Sequence, residues 1–515
     1  MKKVLSILIC AMLMIGMFAG CGSGEKEQQG ENLAGKFSVG YAKAVISPEA
    51  SVYLCGYGDA REDRMSTGTA EDLYSVVTAI TDAEGETVII IAADLLLSYP
   101  SFVDPIRKQI AEKTGVPIDN IMFHCTHNHS GPDANGDMVY RQLLTERTIQ
   151  AALDAMADRK PATMETTFTR PEGINYVRHY LKTDGNYQGE GVGAVPKENL
   201  VGHYGKADNL MQLVRFVREG DAKDIVMINW QGHPRGSDPH SRTTATCNYP
   251  GIMRDTVDAG LDCQSIFILS GSGNLNNNSQ INEEVEDIPD FITLGKVLGQ
   301  HAIDAAANFK PVNTGNIQVE KSFVAKDGKE STEGRPLYAI SVGDLAFAFA
   351  PFEIFDTNAM GVKENSKFKM TFYASCSNAS GGYLPTDPSW DWEEHYEVRI
   401  TNYPKGTCWE VQNILLGLLD KCFTASGNTE VPKEEGYITP EFQPYSDGVE
   451  YLNLSAGDPS AYTAVANGFY QVALMKGNAV KVMLCLNEDV AKQVNEKTTM
   501  KLMFNEQKVI VGIAE

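Results

Sequence analysis

The sequence predicts an α/β fold built on mixed sheets, with a small β-rich appendage at its C-terminal end. Three observations predict it. Apolar, β-branched runs alternate with amphipathic helical stretches over residues 37–425. Five of those runs end in a polar or glycine-rich cluster, at His127, His233, Asn274, Glu353 and Tyr383. From Val449 onward the chain is rich in strand-like runs and contains no histidine. In α/β sheets, sites collect beyond the strand ends. The five clusters are therefore expected to converge although they lie far apart in sequence.

The N-terminus reads as a processing signal. Lys2 and Lys3 precede an apolar run, 4–18, too short for a membrane span. Phe18-Ala19-Gly20-Cys21 resembles the bacterial lipobox. It implies removal of residues 1–20 and acylation of Cys21, so an exported protein anchored by lipid on the extracytoplasmic face of a bacterial cell membrane. Ordinary secretion with cleavage nearby is the alternative. Residues 21–36, polar and small, form a flexible tether.

With 44 Lys and Arg against 67 Asp and Glu, the formal charge is −23, which excludes nucleic acid as a partner. It equally excludes a polybasic grip on anionic lipid, leaving the acyl anchor as the membrane contact. The acidity also serves solubility. A hydrophobic content of 43% indicates a well-cored globular protein. Beyond Cys10 in the leader and Cys21, the cysteines are scattered with no CxxC, and the sequence names no disulfide pairs.

In chain order, residues 40–48 read as a strand ending at a turn, followed by a loop with Gly56-Tyr57-Gly58. Residues 73–81 and 87–92 form a hairpin around Glu84-Gly85-Glu86. Asp104-Pro105 opens a helix that ends before Gly115. A strand at 120–123 then leads into His124-Cys125-Thr126-His127-Asn128-His129-Ser130-Gly131-Pro132, which holds three of the nine histidines. In an extended chain, positions i and i+2 face one way, so His127 and His129 project together. Cys125 is either a further metal ligand or, more plainly, a small core residue. A helix at 138–158 follows, with Leu143, Leu144, Ala151, Ala152 and Met156 as its core stripe.

Residues 163–169 are β-like, 175–180 a loop carrying Arg178, and 181–207 a polar, glycine-rich surface excursion. Strands at 210–217 and 225–230 come next, the second ending in Gln231-Gly232-His233-Pro234. A helix at 250–260 precedes a buried strand at 265–269, which ends in Ser270-Gly271-Ser272-Gly273-Asn274. After a helix at 291–308, strands at 314–324, 337–342 and 345–350 lead to Pro351-Phe352-Glu353. A strand at 367–373 leads to Gly382-Tyr383, and a helix spans 408–422. Residues 426–515 comprise a linker and the β-rich region.

His127, His233 and Glu353 would offer two nitrogens and one oxygen, and three protein ligands with an open position are typical of catalytic zinc. The metal lowers the pKa of bound water from roughly 15.7 to ~7. Tyr383 would serve as fourth ligand or as an oxyanion donor. Each residue also has a bland reading: His233 as a satisfied loop histidine, Glu353 as an exposed acid. His124, His179, His203, His240, His301 and His395 include several such cases.

The motifs, in order, resemble the neutral/alkaline, non-lysosomal ceramidase family over roughly residues 37–425. They are the 40–48 opening, Gly56-Tyr57-Gly58, His127-Asn128-His129-Ser130-Gly131-Pro132, Asn229-Trp230 with His233-Pro234, Pro351-Phe352-Glu353, Gly382-Tyr383-Leu384-Pro385-Thr386 and Tyr396-Glu397. The resemblance implies an α/β zinc hydrolase domain that cleaves the amide of N-acylsphingosine or a related acylated, lipid-like substrate. It places Zn2+ on His127, His233, Glu353 and Tyr383, proton transfer on His129, and substrate contacts on Arg178. Two departures stand out. The family's Gly-Asp-x-Ser-Pro-Asn loop is Gly271-Ser272-Gly273-Asn274-Leu275-Asn276 here, so Asn274 replaces the serine and becomes a donor to the acyl carbonyl. The C-terminal part is also shorter than the family's immunoglobulin-like domain. The rival readings are a lipid-anchored solute-binding protein without catalysis, and a degenerate family member that keeps zinc but not turnover.

Overall fold

Strand Thr87–Ala93 shows how the fold is layered. Its Val88, Ile90 and Ala92 face one core, while Ile89, Ile91 and Ala93 face another. A strand buried on both faces reads as a continuous apolar run, as this one does. Strand Ile225–Trp230 repeats the pattern: Ile225 and Met227 point into the shared core, and Val226, Ile228 and Trp230 pack under helices. The computed structural model describes residues 33–58, 61–189, 196–235, 239–240, 242–277, 288, 290–392 and 395–514. The leader, Cys21 and most of the expected tether lie outside these residues.

Two sheets pack face to face around the shared core. The larger runs in the order Gln264–Leu269, Ile225–Trp230, Met211–Arg218, Lys160–Thr169, Ser38–Val45, Tyr74–Thr81, Thr87–Ala93, Ile121–Cys125. The smaller has five strands, ending in Arg335–Val342, Leu345–Phe349 and Met370–Ala374. Helices cover both outer faces. Pro100–Thr114 and Met138–Ala157 pack on one half of the larger sheet, Asn248–Leu261 and Phe291–Ala305 on the other. Asp356–Asn365 and Thr407–Ser426 cover the smaller sheet. Each fully buried Leu or Ile in these layers contributes roughly 1.5–3 kcal/mol, so the layers hold the scaffold independently of the polar site.

Within these two sheets three strand pairs are parallel: Thr87–Ala93 with Ile121–Cys125, Ile225–Trp230 with Gln264–Leu269, and Leu345–Phe349 with Met370–Ala374. Parallel neighbours need a crossover, and a helix supplies it in each case. The five clusters expected from sequence all follow strands of these pairs. His124 ties three of those strand ends together. Its Nδ1 donates to Ser375 O at 2.7 Å, and its Nε2 accepts from Leu269 N–H at 2.9 Å. Burial holds this imidazole down to about 3, so it stays neutral and keeps both bonds.

Some boundaries differ from expectation. The helix expected to open at Asp104-Pro105 starts at Pro100, whose missing N–H falls among the unbonded first-turn donors. Pro105 then sits inside the helix. The excursion at 181–207 contains strands His179–Lys182, Tyr187–Gly189 and Leu200–His203 in one small sheet. The residues that bury it come from far along the chain, which hides it from local pattern. Leu181 packs with Phe469, Leu484 and Val509.

Those partners belong to the C-terminal region. Strands Tyr445–Leu452, Tyr470–Lys476, Ala479–Cys485, Ile510–Ala514 and Thr499–Phe504 pair in that order, and the last pairs back to the first. The result is a closed five-stranded barrel, with helix Glu488–Asn495 between its third and fourth strands in sequence. No helix among the described residues is long and apolar enough to cross a membrane.

Candidate metal centre

The chain turns sharply after strand Ile121–Cys125. His127 takes a left-handed backbone, φ 63°, which costs a non-glycine residue roughly 1–2 kcal/mol. His127 and His129 therefore share a target through this turn, not through strand alternation as the sequence suggested. His127 Nδ1 lies 3.0 Å from Leu96 O, and His233 Nδ1 lies 3.0 Å from Ser272 O. Each Nδ1–H donates to a carbonyl, which leaves each Nε2 as a lone pair, the arrangement that orients imidazole ligands of metals.

Those Nε2 atoms are 3.1 Å apart. His129 Nε2 is 3.2 Å from His127 Nε2, and Glu353 Oε2 is 3.2 Å from His127 Nε2 and 4.0 Å from His233 Nε2. All four side chains are buried. Lone pairs facing one another at this distance repel unless a cation lies among them. His127, His129 and His233 form a buried group able to hold a metal ion, and with Glu353 Oε2 beside His127 the donors suit a divalent metal such as zinc. Burial works against charge on His127, yet the Glu353 carboxylate lifts its pKa to about 10, so without a cation a proton occupies Nε2 and a metal would have to displace it. Burial, with His127 beside it, holds His129 well below the ordinary value, and burial with Arg178 does the same for His233.

Short ribbons aim the remaining residues. Glu353–Ile354 pairs in parallel with Tyr383–Leu384, so Glu353 and Tyr383 are direct neighbours. Asn175–Val177, expected as loop, pairs with Leu275–Asn277 and brings Arg178 to the glycine-rich segment. Arg178 N–H donates to Asn274 O at 2.8 Å, and its Nη2 donates to Gly273 O at 2.7 Å and to the Tyr383 hydroxyl at 3.3 Å. Gly273 is required here, because a Cβ would sit 2.5 Å from Glu353 O. Asn274 itself turns to Asp356: Nδ2 donates to Oδ1 at 2.7 Å, and Oδ1 accepts from Asp356 N–H at 2.8 Å.

Two searches by sequence give nothing: no protein-family model matches the chain, and no curated protein does. Solved structures do match. The neutral ceramidase from Pseudomonas aeruginosa superposes with a TM-score of 0.60 at 13% identity, over 86% of this chain and 84% of that one. A ceramidase complexed with C2 gives 0.63 at 14% identity, over 87% and 92%. The fold is ceramidase-like. At these identities the likeness is one of fold.

Within this ceramidase-like fold, sequence reasoning left some contributors without a role. In the sequence Glu397 stands out only as part of the Tyr396-Glu397 motif. It is fully buried, and its Oε1 accepts from Arg178 Nε at 2.8 Å and Nη2 at 2.6 Å. Its Oε2 lies 3.3 Å from His179 Nε2 and 3.2 Å from His395 Nδ1, a second buried group of metal-ligating side chains. Burial would raise the Glu397 pKa, but Arg178 holds it well below the carboxylate range. Cys376 places Sγ 3.7 Å from His127 Nδ1. Cys125 instead receives a bond from Ser98 Oγ at 3.3 Å, on the core side of its strand. The signal for Glu397 was its place beside Tyr396 in a recognisable motif. Cys376 carried no signal, because only tertiary contact sets its role.

Proposed function

We propose that this chain is a metal-dependent hydrolase cleaving the amide, or a related ester, of a small acylated, lipid-like substrate. The observation that carries the reading is the convergence of His127 Nε2, His233 Nε2 and Glu353 Oε2 with His129 Nε2 beside them. The ceramidase-like fold supports the choice of a lipid amide. His127, His233, Glu353 and Tyr383 hold zinc in this reading, and bound Zn2+ supplies a Lewis acid and a more acidic water. His129 takes the proton from the attacking water at Nε2 and later delivers it to the leaving amine or alcohol. As the carbon–oxygen bond forms and the carbon–nitrogen bond breaks, the Arg178 guanidinium, fixed by Glu397, faces the charge that develops on the acyl oxygen. Asn274 contributes its remaining amide hydrogen. With no serine at position 274, water is the nucleophile.

A solute-binding protein has no need of three buried imidazoles turned toward one carboxylate. A degenerate member that keeps metal without turnover is separated by a panel of N-acyl lipids, N-acyl amino acids and simple esters. His233→Ala is expected to remove both bound zinc and hydrolysis. Full activity in verified metal-free His233→Ala protein would overturn the mechanism. Anchoring through acylated Cys21 belongs to the same proposal and rests on the leader sequence. Metabolic labelling with a fatty-acid analogue is expected to mark the wild type and not Cys21→Ser.

A further inference from the structure

Gly56 and Tyr57 lie against the proton-transfer histidine. A Cβ at Gly56 would come 2.7 Å from His129 Nδ1, and the Tyr57 ring stands edge-on to His129 with centroids 5.2 Å apart. Three guanidinium groups surround that Tyr57 ring: Arg64 at 4.7 Å, Arg242 at 4.8 Å and Arg235 at 5.9 Å from its centroid. Arg64 is buried and spent on backbone, donating to Leu54 O and His129 O. Arg235 is different. It is half-buried, follows His233 by two residues, and among the described residues has no carboxylate partner. Its backbone is tied to the site, since Arg235 N–H donates to His233 O at 2.7 Å and the neighbouring Pro234 O accepts from His129 N–H at 3.2 Å.

An arginine with no counter-ion among the described residues is costly to hold beside a buried site. It is more notable in a chain with 67 acidic residues and a charge of −23, where a carboxylate partner is easily supplied. The guanidinium fork suits carboxylate, sulfonate or phosphate oxygens, and stacking on Tyr57 pre-orients it.

We infer that Arg235, seated on Tyr57 beside His129, binds an anionic oxygen group of the substrate, so that the preferred substrate is an acyl amide carrying a carboxylate, sulfonate or phosphate near its scissile bond. The inference rests on the hydrolase reading for its reaction but not for its binding. It deepens that reading by naming a charged substrate class in place of a neutral lipid amide.

The test uses the full chain loaded with zinc. N-acylglycine, N-acyltaurine and N-acyl-O-phosphoethanolamine are compared with neutral N-acylethanolamine of the same acyl length, in wild type, Arg235→Gln and Arg235→Lys. In wild type, at least one anionic substrate is expected to exceed the neutral one in kcat/KM by tenfold or more, and the ranking identifies the group. In Arg235→Gln the anionic-to-neutral ratio is expected to fall at least tenfold, mainly through KM, with partial recovery in Arg235→Lys. Calorimetric binding of the same four compounds to His129→Ala protein gives a readout without turnover. Anion-selective binding that depends on Arg235, with no hydrolysis by wild type, sinks the hydrolase reading and keeps this one. A ratio unchanged by Arg235→Gln in both measurements overturns the inference.

Discussion

Glu353 and Tyr383 are directly opposed residues of a two-residue parallel ribbon, at the exits of two neighbouring parallel strands. The pairing fixes both backbones, and the phenol hydrogen-bonds the carboxylate that meets His127. Tyr383 also receives an Arg178 N–H at 3.3 Å. Tyr383→Phe keeps the ring and removes only the hydroxyl. We expect zinc affinity to fall about 10–100-fold, measured by competition with a chromophoric chelator. Unchanged affinity and turnover would remove Tyr383 from the centre.

His129 and His233 are both buried and both close to His127, yet they are assigned different work. His129→Ala is expected to retain stoichiometric zinc while kcat drops about 10²–10⁴-fold. Metal analysis beside single-turnover kinetics separates the roles. Loss of metal in His129→Ala would instead make His127, His129 and His233 the ligand set.

The layers were legible because both faces of the strands are buried and the runs are apolar, as in Thr87–Ala93. The candidate site was legible because its residues follow parallel strands, where side chains gather at one edge. Three things were not. The left-handed turn at His127 depends on contacts with Leu95 and Leu96, which local spacing does not encode. Asn274 reads as a free donor until Asp356, distant in sequence, is seen to engage it. Barrel closure rests on the pairing of Tyr451 and Leu452 with Lys476 and Met475, which alternation along single strands cannot announce.

The Arg178–Glu397 pair is fully enclosed, with Glu397 0% and Arg178 3% exposed. Removing one charge strands the other in a poorly solvated place. Glu397→Gln is expected to cost about 3–5 kcal/mol, read as a lower urea midpoint. Wild-type stability in this variant would show that water reaches Arg178.

Acid stability has a defined sign. His124 is neutral in the fold because burial depresses it to about 3, against about 6.5 in the unfolded chain. Between these values the unfolded state binds the extra proton. Stability from this group is complete above pH 6.5 and is lost as pH falls toward 3, by up to about 1.4 kcal/mol per pH unit. Only below about 3 does the imidazole protonate in the fold, where Nε2 no longer accepts from Leu269 N–H. In chelator-treated protein, His124→Gln is expected to show a shallower fall of the urea midpoint between pH 6.5 and 4. An identical slope would place the acid sensitivity elsewhere.

Asn274 and Asp356 exchange two hydrogen bonds in a buried setting, and burial already raises the Asp356 carboxyl above its ordinary value. Asn274→Asp replaces a donor with a second carboxylate at the same contact. The two acids cannot both stay ionised there without cost, so stability is expected to fall by about 3 kcal/mol at neutral pH. Asp356→Asn in the same chain removes the repulsion and is expected to restore most of the loss. The double variant also isolates chemistry from folding. If the remaining amide hydrogen of Asn274 meets the acyl oxygen, turnover stays about 10²–10³-fold low in the refolded double variant. Recovery of both stability and turnover would make Asn274 a positioning residue for the glycine-rich segment and leave charge stabilisation to Arg178.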